Sequence, residues 1–180
     1  MSLYLYEIVP SAERREESEQ IIAEFDGETR SAGGELIETQ VTAGRDRIFA
    51  VTEFAGCEAP RIAADALKAA DIEGPSQVRL VGAELEQIKA ARPEAGYLVE
   101  WDIPDSIDMD TYLARKKEKS PLYANVPEVS FLRTYVREDM AKCLCFYDAP
   151  DEAAVLRARE AVSTPVDRVH QLDHQTVTSK

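Results

Sequence analysis

The feature that most limits how this chain can fold is a pattern that occurs twice. A short strand-like run carries a Glu, ends near a Pro and is followed by a charged helical stretch. The first run is Leu3-Tyr4-Leu5-Tyr6-Glu7-Ile8-Val9-Pro10; the second is Gly96-Tyr97-Leu98-Val99-Glu100-Trp101-Asp102-Ile103-Pro104. Each leads into the same later order of hairpin, helix and final strand. The repetition predicts an α+β protein made of two tandem β-α-β-β-α-β units.

In the first copy, residues 3–9 alternate as a strand. Residues 11–31 read as a helix with Ser11 as its cap, a thin apolar stripe of Ala12, Ile21, Ile22 and Phe25, an interruption at Gly27 and a stop at Gly33-Gly34. Residues 35–41 and 46–54 form a hairpin around Thr42-Ala43-Gly44. An Ala-rich helix is expected at 59–70, then the Gly74-Pro75 breaker and a strand at 76–81. Residues 83–95 read as a connecting helix. In the second copy, residues 97–101 place Tyr97, Val99 and Trp101 on one face and Leu98 and Glu100 on the other. A helix at 108–119 with Asp108 or Asp110 as cap, a hairpin of 129–136 and 142–147, a helix at 152–161 capped by Asp151, and a strand at 167–172 complete it. The expected layout is an N-terminal lobe at 1–82, a connector at 83–95, a C-terminal lobe at 96–174 and a flexible tail at 175–180. Each four-stranded sheet would leave one apolar face open. Packing the two open faces sheet to sheet, as an α/β barrel, covers both. The chain would then be a monomer by internal pseudo-dimerisation, or a homodimer.

Composition excludes several classes of function. The formal net charge of −13 opposes binding to nucleic acid. The dense basic run Arg115-Lys116-Lys117-Glu118-Lys119 reads as a solvated helix face. No apolar stretch approaches the roughly 20 residues of a membrane span, and the start lacks the pattern of a signal peptide. Three cysteines, Cys57, Cys143 and Cys145, make a poor disulfide framework, and a reducing cytoplasm is expected.

The run Val129-Ser130-Phe131-Leu132-Arg133-Thr134-Tyr135-Val136 and the exit Cys145-Phe146-Tyr147-Asp148-Ala149-Pro150, with Leu98-Val99-Glu100 and Thr164-Pro165-Val166-Asp167-Arg168-Val169, carry a family resemblance. Residues 97–172 resemble a bacterial family, domain of unknown function 4242, that includes a nickel-binding protein. The resemblance implies ferredoxin-like units that associate through their sheets, and a divalent metal such as nickel as cofactor. It attaches no general chemistry. With only His170 and His174 in the chain, a three-histidine metal site cannot form within it.

Glu100 is the leading candidate for a functional side chain, as acid, base or metal ligand. A carboxylate within a sheet must be paired, hydrated or raised in pKa, and Arg133, Lys142 or a tyrosine hydroxyl would equally satisfy it as a structural group. Glu7 is its counterpart in the first copy. The strand beside Glu100 is expected to carry Cys143, Cys145 and Tyr147 on one face. The thiols either fill the core or, with His170, hold a soft metal. Tyr135 and Tyr147 are candidate ligand contacts, and Tyr135 is paired with Glu100 as a candidate catalytic residue. No phosphate loop, nucleophile elbow or zinc-protease motif is present. The expected function is a small-molecule or metal-ion binding protein, with Glu7, Glu100, Tyr135, Tyr147 and Cys145 around a ligand between two sheet faces. The alternatives are a cofactor-independent monooxygenase, isomerase or cyclase, and a structural or regulatory partner-binding module.

Overall fold

Alternating apolar residues start the chain as a strand, and its partners then decide the rest of the first unit. The computed structural model describes residues 1–56, 58–91 and 94–173. β1 (Ser2–Pro10) is followed by a 3₁₀ turn at Ala12–Glu17, α1 (Ser18–Ser31), β2 (Gly34–Val41), β3 (Ile48–Phe54), a 3₁₀ turn at Ala64–Leu67 and β4 (Ala69–Val81). The strands lie in the order β2-β3-β1-β4. β1 runs antiparallel to both neighbours, with Tyr6 opposite Ala50 and Ile8 opposite Ile48 and Ile72. α1 buries Ile21, Phe25 and Thr29 at four-residue spacing, so one face meets the sheet. The Phe25 ring stands edge-on to Tyr6 at 5.1 Å. Gly27 does not interrupt α1; a Cβ there would meet nothing within 4 Å. Ser11 precedes the 3₁₀ turn without a side-chain cap bond.

The expected helix at 59–70 is not formed. Of that stretch only Ala64–Leu67 turns, as 3₁₀, and Lys68 then takes a left-handed conformation at φ 48°. β4 begins at Ala69 because Ala69, Asp71 and Ile72 pair with Pro10, Val9 and Ile8 of β1. Alanine's helix propensity is a weak preference, and strand pairing plus burial of Leu67 in the first core overrides it. At Gly74 φ is +115°, and a Cβ would stand 2.6 Å from the Leu5 carbonyl oxygen, so only glycine lets β4 approach β1 there.

The boundary between the two compact units lies between Val78 and Arg79, inside β4 and not at 82. α2 (Leu85–Ala91) belongs to the first unit and is no free-standing connector. Lys89 holds it there through Glu53 at 2.6 Å and Glu35 at 3.2 Å. Leu172 also joins the first unit, bridging to Thr42. The expected tail at 175–180, with His174, lies outside the described residues.

The second unit contains β5 (Tyr97–Asp102), α3 (Met109–Lys119), a 3₁₀ turn at Ser120–Asn125, β6 (Ser130–Arg137), β7 (Lys142–Asp148), α4 (Glu152–Ala161) and β8 (Arg168–Gln171). Its order is β6-β7-β5-β8. Counted from the start of each unit, the strands of both are arranged 2-3-1-4. Asp108 caps α3 by accepting from the Thr111 N–H at 2.8 Å, and Asp151 caps α4 by accepting from Ala154 at 2.7 Å. Among the described residues no helix is long and apolar enough to cross a membrane.

Candidate functional site

Register determines which of the expected residues meet. Tyr97, Val99 and Trp101 of β5 pair with Tyr147, Cys145 and Cys143 of β7, while Glu100 pairs with Leu144. Directly opposed residues share a sheet face. Cys143, Cys145 and Tyr147 therefore point to one face with the helix-side core, and Glu100 points to the other. Tyr135 pairs with Leu144 and His170 with Leu98, which places both on the Glu100 face. The expected ligand set thus divides: Cys145 and Tyr147 on one face, Glu100 and Tyr135 on the other, and Glu7 in the first unit. The expected metal set divides as well, since His170 cannot reach Cys143 and Cys145 through the sheet.

On its face Glu100 is fully buried. Lys142 Nζ donates to its Oε1 at 2.8 Å, and Arg168 Nε donates to Oε2 at 2.8 Å. His170 Nε2 stands 2.7 Å from Oε2; an ionised carboxylate only accepts, so that nitrogen carries the proton. Arg168 also grips Asp102 with two bonds, at 3.0 and 2.6 Å. Burial alone would push the Glu100 carboxyl up, but the bonds from His170, Lys142 and Arg168 prevail and hold it far below the ordinary carboxylate range. Such a group is a weak proton acceptor. Tyr135 is buried with its ring perpendicular to Phe146 at 5.9 Å. Glu7, also buried, accepts from Arg47 at 2.9 Å.

The helix-side face holds a different chemistry. Cys143 and Cys145 Sγ lie 3.9 Å apart. Lys116 Nζ donates to Thr134 Oγ1 at 2.9 Å, so the Thr134 hydroxyl hydrogen is free to point at Cys145 Sγ, 3.2 Å away. Arg159 Nη1 donates to the same sulfur at 3.5 Å and to the Tyr147 hydroxyl at 3.2 Å; its Nη2 donates to the Pro165 carbonyl at 2.7 Å. Tyr147 and Tyr123 share a 2.7 Å hydrogen bond. Cys145 is thus surrounded by donors. The bond from Cys143 is the largest influence on it, and with the charges of Lys116 and Arg159 and the Thr134 hydroxyl it outweighs burial, holding the Cys145 thiol well below its usual range. The same sulfur–sulfur bond and burial push Cys143 well above it. Burial and the charge on Cys145 likewise push Tyr147 up.

A cavity of about 530 Å³ adjoins this cluster, between α3 with its following turn and the end of α4. Trp101, Tyr112 and Tyr123 form aromatic walls, and Lys116 and Arg159 reach it from the thiol side. Arg115, Lys117 and Glu118 are exposed, as the solvated-face reading of 115–119 expects, but Lys116 and Lys119 are half-buried, which corrects that reading for these two. Arg159 escaped attention although its position marked it. It stands four residues after Val155 in a helix that buries Ala154, Val155 and Ala158, so a cation falls on the apolar stripe.

A divalent metal such as nickel does not fit these residues. Among the described residues no group of three or more His, Cys, Asp or Glu could hold one. Cys145 already accepts from Arg159 and Thr134, and a cation at the thiol pair would meet the charges of Arg159 and Lys116.

Residues 97–172 match the family described as Nickel responsive protein SCO4226-like. The crystal structure of SCO4226 from Streptomyces coelicolor A3(2) is 16% identical over 46% of this chain and 100% of that one, with a TM-score of 0.39. The candidate chlorite dismutase TA0507 is 14% identical over 96% of this chain and 95% of its own, with a TM-score of 0.54. A candidate monooxygenase from Lactobacillus acidophilus NCFM is 11% identical over 96% and 94%, with a TM-score of 0.50. No curated protein is significantly similar to the chain. At these identities the two full-length likenesses show the fold: an α+β chain of ferredoxin-like character along nearly its whole length.

Proposed function

We propose that this protein binds a small molecule, and that the ligand occupies the cavity between α3 and the end of α4. The observation that carries this reading is the combination at one cavity of aromatic walls with a buried arginine and a half-buried lysine. Ligand pockets characteristically pair a mostly apolar lining with a few placed polar groups. The family name makes nickel the first metal to consider, but the donor set argues against it. The acid–base role for Glu100 draws no support from its surroundings, since three basic side chains occupy its oxygens.

Trp101 lines the cavity and is the chain's single tryptophan, so its indole N–H gives one unambiguous NMR resonance. In a screen of diverse fragments, binders are expected to shift that resonance together with those of Tyr112 and Arg159. If binders shift only residues remote from the cavity, or none is found, the reading fails. Nickel is expected to leave these resonances in place; paramagnetic broadening centred on Cys143 and Cys145 would restore the metal alternative.

A further inference from the structure

The cavity's charge is unlike that of the rest of the molecule. Arg115, Lys116, Lys119 and Arg159 line it against a single carboxylate, Glu118. Four cations less one anion leave a formal +3 there, in a chain whose net charge is −13. In an acidic protein, a concave basic spot concentrates the potential that draws an anion inward.

Two of these cations are also without a carboxylate partner, and the acidic thiol beside them, Cys145, does not line the cavity. Among the described residues no carboxylate forms a salt bridge with Lys116 or Arg159. Lys116 spends its charge on the Thr134 hydroxyl and over the Phe131 ring, 4.2 Å from its centre. Arg159 is 3% exposed. Of its five N–H donors, three are used, on Cys145, Tyr147 and the Pro165 carbonyl, while Nε has no partner. A buried donor without an acceptor is costly to maintain, so on a cavity wall it favours a ligand that supplies the acceptor. The walls define the rest of the ligand. Trp101 and Tyr112 are inclined by 30° with ring centres 6.2 Å apart, and Ile107 and Val162 add apolar surface.

We propose that the ligand is an organic anion: a flat, largely apolar body bearing an acidic group, carboxylate or sulfonate, that pairs with Lys116 and Arg159. This rests on the reading of the cavity as a small-molecule site. The anion shares Arg159 with Cys145, so the sulfur lies directly behind the bound acid group.

Two probes with one ring system separate the charge from the body. 1-Anilinonaphthalene-8-sulfonate carries the sulfonate, and N-phenyl-1-naphthylamine lacks it. Each is titrated into the full chain and followed by probe fluorescence and by the Trp101 indole resonance. The sulfonate is expected to bind about tenfold more tightly than the neutral amine, and to weaken as salt rises. Lys116→Met and, separately, Arg159→Met are expected to shrink the ratio to about threefold or less. Lys116 is half-buried, so its variant keeps the test decisive if Arg159→Met fails to fold. If neither probe moves the Trp101 resonance, the small-molecule reading falls and this inference with it. Equal binding of both probes at Trp101 leaves the cavity reading intact and overturns the anion preference. A sulfonate advantage unchanged by Lys116→Met overturns the assignment of the acid group.

Discussion

The two units lay four strands in the same order, yet each buries an arginine beneath its helices in a different way. In the first unit Arg14 bonds Glu17 at 2.6 Å, Glu24 at 3.0 and 3.1 Å, and the Leu67 carbonyl. Carboxylates neutralise the guanidinium, and the Arg14 site is closed. In the second unit Arg159 meets a thiol, a phenol and a carbonyl. Those partners satisfy donors without a carboxylate, and the charge of an ionised Cys145 is shared between Arg159 and Lys116. A buried cation with soft, titratable partners keeps its capacity to attract an anion, and one clamped by carboxylates does not. The segment between the hairpin and the last strand of each unit makes the difference possible. α4 supplies Arg159, while the corresponding stretch of the first unit is only a 3₁₀ turn.

The largest expected effect tests whether charge clusters in the second unit are the more demanding. Glu100→Gln leaves Lys142, Arg168 and His170 around a neutral group, and is expected to cost about 3–5 kcal/mol in urea unfolding. Glu24→Gln removes a partner of Arg14 whose side chain is 36% exposed, and is expected to cost under about 1 kcal/mol after solvent screening. Equal losses would break the contrast. The pH dependence sharpens it. The folded Glu100 carboxyl lies below its unfolded value near 4.3, so its contribution is complete above that value and is lost as pH falls through the range beneath it. The stability gap between wild type and Glu100→Gln should narrow on passing from neutral pH to about pH 3.

A backbone contrast comes next. Gly74 and Thr164 each precede a proline, the first within β4 and the second ahead of β8. Gly74→Ala is expected to cost about 2 kcal/mol or more, from its positive φ and the Leu5 carbonyl. Thr164→Ala should cost under about 1 kcal/mol, because it removes one part-buried bond to Val162. Thermal denaturation of both variants measures the difference.

The thiols give a spectroscopic prediction with little effect on stability. In a Cys57→Ser background, ultraviolet titration should show a thiolate forming below the ordinary thiol range, a step that Cys145→Ser abolishes. Cys143→Ala should move its onset to higher pH, because the Cys145 sulfur loses its S–H donor. An early-titrating thiolate that survives Cys145→Ser would reverse the assignment of the two sulfurs. The smallest effect concerns caps. Asp151→Ala should cost about 1 kcal/mol, and Ser11→Ala, whose side chain makes no cap bond, within about 0.5 kcal/mol.

Much of the fold was legible because it is written locally. The alternation of 97–101 correctly separated Glu100 from Tyr97, Val99 and Trp101, and Asp151 before an Ala-rich stretch marked the start of α4. The Ala-rich stretch at 59–70 misled for the same reason: its helix preference is local, whereas the pairing of Ala69 and Asp71 with β1 is not. Around the candidate site, Cys145 and Tyr147 were recognised, but Arg159 and Lys116 were not.

The chain by itself determined most of the strands and helices, the stretch at 59–81 excepted, and which side chains share a face within each strand, because those properties repeat over two to four residues. Tertiary structure alone decided that Val99 sits opposite Cys145, which put Glu100 and the thiols on opposite sides of one sheet. It alone brought Lys116, Thr134, Cys145 and Arg159 together from four separate elements. Register and helix docking depend on contacts between residues far apart in sequence, and no local period encodes them.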